Sequence, residues 1–200
     1  MSKATAYLAR QDARLARILT GPPFKAYRNG VLFLDLLESI MSQQLSGKAA
    51  STIHGRFCQL FPAQRPTPQL LLQLTPDQLR AAGVSRQKAG YLHNVAAFFL
   101  EHDLGHDALR KLDDDAILAL LTQIKGVGRW TVEMILMFSL HRPDVFPVDD
   151  LGIQLAIKKL YGLRTSGPRL RKRMQAIAEA WRPHRTLACR YLWRWRNTND

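Results

Sequence analysis

Two apolar helical runs meet at a turn built around two glycines. Apolar side chains recur at helical spacing from Ile117 to Ile124, the pattern breaks at Gly126-Val127-Gly128, and a second run follows from Trp130 to Leu140. Glycine enters positive φ without a Cβ penalty, so the pair allows a tight reversal between helices. The free N–H groups of the turn and the N-terminus of the second helix then make a cradle for a phosphate. Further on, Phe146-Pro147-Val148-Asp149-Asp150 sets two carboxylates just before another apolar helical run. A phosphate clamp followed by a positioned carboxylate points to chemistry on a nucleic acid.

The rest of the chain reads as helix. Ala4–Leu19 is an Ala/Arg/Leu-rich helix closed by Gly21-Pro22-Pro23, and Val31–Leu45 and Lys48–Phe61 follow with helical apolar spacing. Thr67-Pro68 and Thr75-Pro76 each pair an N-cap hydroxyl with proline at the first helical position, which opens two short helices. Gly83 suits a C-cap, and Ser85 caps a long helix from Arg86 to Glu101. Asp113–Asp115 favour the start of the next helix through its dipole. Gly167-Pro168 opens another, and Trp181–Trp195 makes the last. No segment alternates as a strand does, so the expected class is all-α.

Charge narrows the partner. The 200 residues carry a net charge of +13 with a pI of about 10.3, which fits a polyanion, either nucleic acid or an anionic surface. Residues 151–200 hold twelve Lys/Arg against Glu179 and Asp200, so this quarter supplies ten of the thirteen charges. No apolar run approaches the roughly 18 residues needed to span a bilayer. Cys58 and Cys189 alone give no disulfide framework, and the six histidines show no paired metal spacing. The chain reads as cytosolic and reduced, with no metal site.

The segment K-G-V-G-R-W-T, a helix and P-V-D-D, in that order between Leu120 and Leu160, resembles the helix-hairpin-helix, Gly/Pro-rich loop and Asp signature of the DNA glycosylase superfamily. G-R-W-T and the Asp pair point to its 3-methyladenine DNA glycosylase II branch. The resemblance extends to Ser39–Ser51, Ala81–Ala97, and Trp181–Arg185 with Trp193. It implies two helical lobes with a cleft between them, one domain over 1–200, with lobes of about 1–30 plus 113–200 and of 31–112. It implies a compact member without the β-rich N-terminal domain of longer bacterial relatives. The activity implied is hydrolytic excision of alkylated purines such as 3-methyladenine and 7-methylguanine from double-stranded DNA in base excision repair. The protein would be a monomer in the cytoplasm, nucleoid-associated in a prokaryote. No cofactor is required, though hairpin carbonyls could hold a monovalent cation.

Residue by residue, Asp150 alone would be read as a helix N-cap. The resemblance makes it the anion that stabilises charge on the deoxyribose and recruits water, and leaves the cap to Asp149. Trp130 stands where lyase relatives carry a lysine nucleophile, so no strand cleavage is expected. Trp130 and Trp193 match base-pocket aromatics, while Met134 stands where the familiar bacterial member has a tyrosine. Gln44, with Leu45 next, matches the wedge that fills the gap left by a flipped base. Lys125, Gly126, Val127, Gly128, Arg129 and Thr131 are the expected DNA contacts. Two other readings stay open: a glycosylase for deaminated or oxidised bases, which Met134 makes credible, and a non-catalytic DNA-binding protein.

Overall fold

The computed structural model describes residues 2–24, 31–43, 45, 47–102, 104 and 106–199. Every regular element among them is helical, as the missing period-two pattern implies. None of these helices is long and apolar enough to cross a membrane. Contacts divide the chain into two units, Tyr27–Leu140, and Met1–Ala26 with His141–Asp200. Residues 113–140 therefore group with 27–112 and not with the terminal lobe to which the sequence reading attached them. The reason is packing: α9 (Asp114–Leu121) and α10 (Arg129–Met134) bury their apolar faces against each other, and α10 also packs on α3 (Leu32–Ser42).

In the Tyr27–Leu140 unit, α4 (Gly47–Cys58), α5 (Pro68–Gln73), α6 (Pro76–Ala81), α7 (Arg86–Glu101) and α8 (His106–Arg110) lie between α3 and α9 in sequence. α7 is the centre, packing on α3, α5 and α6 through Ala89, Leu92, Val95 and Ala96. Its neighbours start where the sequence places them. Thr67 and Thr75 cap α5 and α6 with proline in the first turn, and Gln78 completes a capping box with Thr75. Ser85 caps α7 and Asp113 caps α9.

α3 carries two stripes of opposite character. Leu32, Phe33, Leu36, Leu37, Ile40 and Met41 are buried, whereas Asp35, Glu38, Ser39 and Ser42 recur at the same helical spacing on the other side. The run after the hairpin is not one regular helix. It widens into a π-helical segment at Ile135–Ser139, closed by the Leu140 amide on the Ile135 carbonyl at 2.9 Å.

The terminal unit holds α1 (Lys3–Gln11), α2 (Ala13–Ala16), α11 (Leu151–Tyr161), α12 (Gly167–Glu179) and α13 (Arg185–Asn199). α11 packs on α13 and α2, and α1 packs on α13. The single helix expected over Ala4–Leu19 is broken at Asp12, whose backbone is extended at φ −146° and ψ 104°. Its carboxylate accepts the amides of Arg14 and Leu15, both at 3.0 Å, the Trp181 indole N–H at 2.9 Å, and the Tyr161 hydroxyl. Trp181, fully buried, is thereby held ahead of the last helix, which begins at Arg185 and not at Trp181.

Candidate functional site

Asp150 sits at the N-terminus of α11. Its Oδ1 accepts the Ile153 amide at 2.8 Å, so Asp150 and not Asp149 is the cap. The same Oδ1 accepts the Trp193 indole N–H, also at 2.8 Å. Asp149 instead pairs with the Arg171 guanidinium at 2.5 Å, each side chain about half exposed. The assignment of the cap to Asp149 is therefore corrected: its backbone precedes the helix by one residue too many, and its carboxylate turns to α12. The close approach of Trp193 depends on Gly152. A Cβ there would lie 3.0 Å from Trp193 Cδ1 and 3.1 Å from Asp150 Oδ1.

In the other unit the hairpin turns at Ile124–Gly128. Only Gly126 has positive φ, at +104°, and a Cβ there would fall 2.2 Å from Cγ of Tyr91. Gly128 is the extended N-cap of α10, with φ −93°, ψ 172° and open space where a Cβ would stand. Conformational freedom is thus needed once, not twice. The amides are not all available either, since Val127 N–H donates to the Ile124 carbonyl at 2.9 Å and its side chain is buried. The first internal bond of α10 runs from Val132 N–H to the Gly128 carbonyl at 3.2 Å, so the amides of Gly128 and Arg129 precede it. These, at the positive end of the helix dipole, suit an anion.

The other expected contacts divide. Lys125 is exposed, and its carbonyl accepts the Asn94 side-chain amide at 3.0 Å. Arg129 pairs at 3.0 Å with Glu133, which is only 4% exposed. Thr131 is 1% exposed, and its hydroxyl accepts the Gln43 amide at 3.2 Å, so its side chain ties the α3 end to α10 and faces no solvent. Leu45 is an exposed apolar residue, at 40%, whereas Gln44 lies outside the described residues.

Beside α10 lies a cavity of about 400 Å³. One wall is the polar stripe of α3: Asp35, Glu38, Ser39 and Ser42. The other is Trp130, Met134 and Phe138, at fourfold spacing, with Ile135 and Ser139 of the π segment. Trp130 and Met134 are thus brought together as expected. Phe138 and the two carboxylates were not singled out from sequence, although their spacing from Trp130 and from Leu36–Ile40 was there to be read.

The sequence reading placed α7 but singled out no site residue on it. Its Lys88 Nζ donates to the carbonyls of Met41 at 2.8 Å and Gln43 at 2.7 Å, and desolvation holds its pKa below the usual lysine value. Three residues on, Tyr91 packs on Gly126, and three further on, Asn94 holds Lys125. Lys88, Tyr91 and Asn94 at spacing three, beside the buried stripe of Ala89, Leu92, Val95 and Ala96, were the available signal.

A glycine hairpin, a helix capped by an aspartate after Pro-Val, and an all-α scaffold define a class of DNA-repair protein. Residues 37–183 match the family described as HhH-GPD superfamily base excision DNA repair protein, and the chain belongs to that superfamily. Among its relatives is DNA-3-methyladenine glycosylase 1 of Schizosaccharomyces pombe, 34% identical over 97% of this chain and 87% of that protein. The fold is similar to that of an S. pombe 3-methyladenine DNA glycosylase in complex with abasic DNA, with a TM-score of 0.86, 32% identity, and coverage of 96% and 95% of the two chains. It is also similar to a DNA-3-methyladenine glycosidase of Bacillus halodurans, with a TM-score of 0.83, 36% identity, and coverage of 99% and 91%.

Proposed function

We propose that the protein is a monofunctional DNA glycosylase that excises alkylated purines from duplex DNA. The observation that carries this reading is the cavity beside Trp130. Its size suits a purine, and its lining combines the Trp130 indole with the carboxylates of Asp35 and Glu38. Alkylation at N3 or N7 makes a purine cationic, and a cation is favoured both over an aromatic face and near carboxylates. Met134 adds a polarisable wall that accepts more than one base shape.

Chemistry then needs little from the protein. The cationic base leaves with the bonding electrons of its glycosidic link, and positive charge develops on the deoxyribose. Asp150, held by its cap and by Trp193, is the anion proposed to stabilise that charge and to orient water toward the sugar. With an indole at position 130 there is no amine to form a Schiff base, so the strand is left intact at an abasic site. Gln44, with Leu45 next, is the proposed wedge. No step requires a cofactor. A monovalent ion at the hairpin would be held by carbonyls such as those of Ile124 and Lys125, each already accepting one amide and retaining a second lone pair; its part would be to shape the turn.

The test is to incubate the protein with methylated duplex DNA and identify the bases released. Free 3-methyladenine and 7-methylguanine are expected, with nicks only after alkali. Asp150→Asn should lose at least about 100-fold in rate with lesion-DNA affinity kept. Release at the parental rate by Asp150→Asn would take the catalytic role from this residue.

A further inference from the structure

One face of α7 touches two parts of the Tyr27–Leu140 unit proposed to meet DNA, the hairpin and the end of α3. Tyr91 and Asn94 hold the hairpin, through the ring against Gly126 and the amide on the Lys125 carbonyl. Lys88, one turn earlier, reaches the carbonyls of Met41 and Gln43 at the end of α3. The Met41 carbonyl belongs to the last turn of α3 and has no partner further along it, and the Gln43 carbonyl is that of the residue capping the same end. They also lie at the negative end of the α3 dipole, where an ammonium is favoured. Directly after them comes the segment that contains Leu45, whose amide donates to the Ser42 carbonyl at 3.1 Å.

A wedge works only if its loop is already placed when a base unstacks, because ordering a flexible loop at that moment costs backbone entropy of about 1–2 kcal/mol per residue. Lys88 supplies two charge-assisted hydrogen bonds, a stronger kind than neutral pairs, at the point where α3 gives way to that loop. The Gln43 side chain, donating to Thr131 of α10, closes the same frame from the other side.

We infer that Lys88 is a positioning residue for base extrusion: through the Met41 and Gln43 carbonyls it sets the end of α3, and with it Leu45, in register with the hairpin that Tyr91 and Asn94 of the same helix hold. The inference rests on the wedge reading of that segment. It separates Lys88 from a basic residue such as the exposed Lys125, whose charge would serve a phosphate directly. A lysine on a phosphate strengthens binding to any duplex, whereas a lysine that sets the wedge matters when a base has left the stack.

The experiment compares the parent, Lys88→Met and Lys88→Arg on two duplexes, one undamaged and one carrying a tetrahydrofuran abasic-site analogue beside 2-aminopurine. Lys88→Met should weaken binding to the abasic duplex about tenfold and to the undamaged duplex less than about twofold, and should diminish the 2-aminopurine fluorescence that reports unstacking. Its salt slope should match the parent's, and Lys88→Arg, whose fork can reach both carbonyls, should recover most of the loss. Should Lys88→Met fail to fold by circular dichroism, Lys88→Gln carries the same comparison. Equal losses on both duplexes with a slope shallower by about 0.9 would make Lys88 a phosphate contact and overturn the proposal. Parental behaviour of a folded Lys88→Met would overturn it as well. A parent protein without preference for the abasic duplex would remove the wedge reading itself, a different failure that the parental measurement alone reveals.

Discussion

Asp150 carries two hydrogen bonds on one carboxylate oxygen, and they bear on two different roles. The capping role and the catalytic role looked like alternatives to be divided between neighbours, and in the structure one oxygen of Asp150 serves the cap and accepts the Trp193 indole as well. Pro-Val-Asp-Asp does not reveal which carboxylate starts the helix, because that depends on a single residue's φ and ψ. Trp193 was legible only as an aromatic of the family's pocket; its indole N–H on Asp150 depends on Gly152, 41 residues earlier in the chain. The two roles of Trp193 make different predictions. Trp193→Phe keeps an aromatic face and deletes the donor. If donation matters, base release should fall about 10- to 100-fold, the kinetic equivalent of one hydrogen bond to a charged group, with lesion-DNA affinity little changed. Near-parental turnover by Trp193→Phe, together with lost affinity in Trp193→Leu, would identify stacking as its function instead.

At the scale of elements, capping and turn chemistry made most of the fold legible. Thr67, Thr75, Ser85 and Asp113 each begin a helix where expected, because their side chains satisfy amides within three residues and need no distant partner. The failures have distant causes. Asp12 breaks the first helix with help from Tyr161 and Trp181, and the π segment at Ile135–Ser139 has no local sequence mark. The hairpin lies between these cases, since its glycines were found but treated alike. They are not, and substitution should separate them. Gly126→Ala forces a Cβ into Tyr91 at a left-handed φ, so it should unfold at markedly lower urea, costing about 2 kcal/mol or more. Gly128→Asp has open space, and aspartate is a good N-cap, so the fold should keep its stability or gain some. Its new anion would stand at the proposed phosphate site and should weaken damaged and undamaged duplexes alike. Intact DNA affinity in a folded Gly128→Asp would rule out the phosphate clamp at this turn.

For the molecule as a whole, the +13 charge that suits a polyanion also opposes the compact state, and more so as carboxylates take up protons. Asp12 is where this tension acts on the terminal unit. Burial alone would raise its pKa, but the Tyr161 hydroxyl, the Leu15 and Arg14 amides and the Trp181 indole outweigh burial and hold it below the ordinary value of 3.8. A carboxylate with a lowered folded pKa contributes stability above its unfolded value, and that contribution is lost as pH falls through the folded one. Asp12 links α2 to α11 and to the turn before α13, so protonation loosens contacts across the whole unit. Asp12→Asn keeps an acceptor for the cap but cannot satisfy the Trp181 N–H and the Tyr161 hydroxyl as the carboxylate does. At pH 7 it should be less stable than the parent by about 1–3 kcal/mol in urea unfolding. The gap should narrow as pH drops below about 4, because the parent then loses what the variant already lacks. A gap that stayed constant from pH 7 to pH 2 would show that the charge of Asp12 does not stabilise the fold, leaving only its shape and its cap.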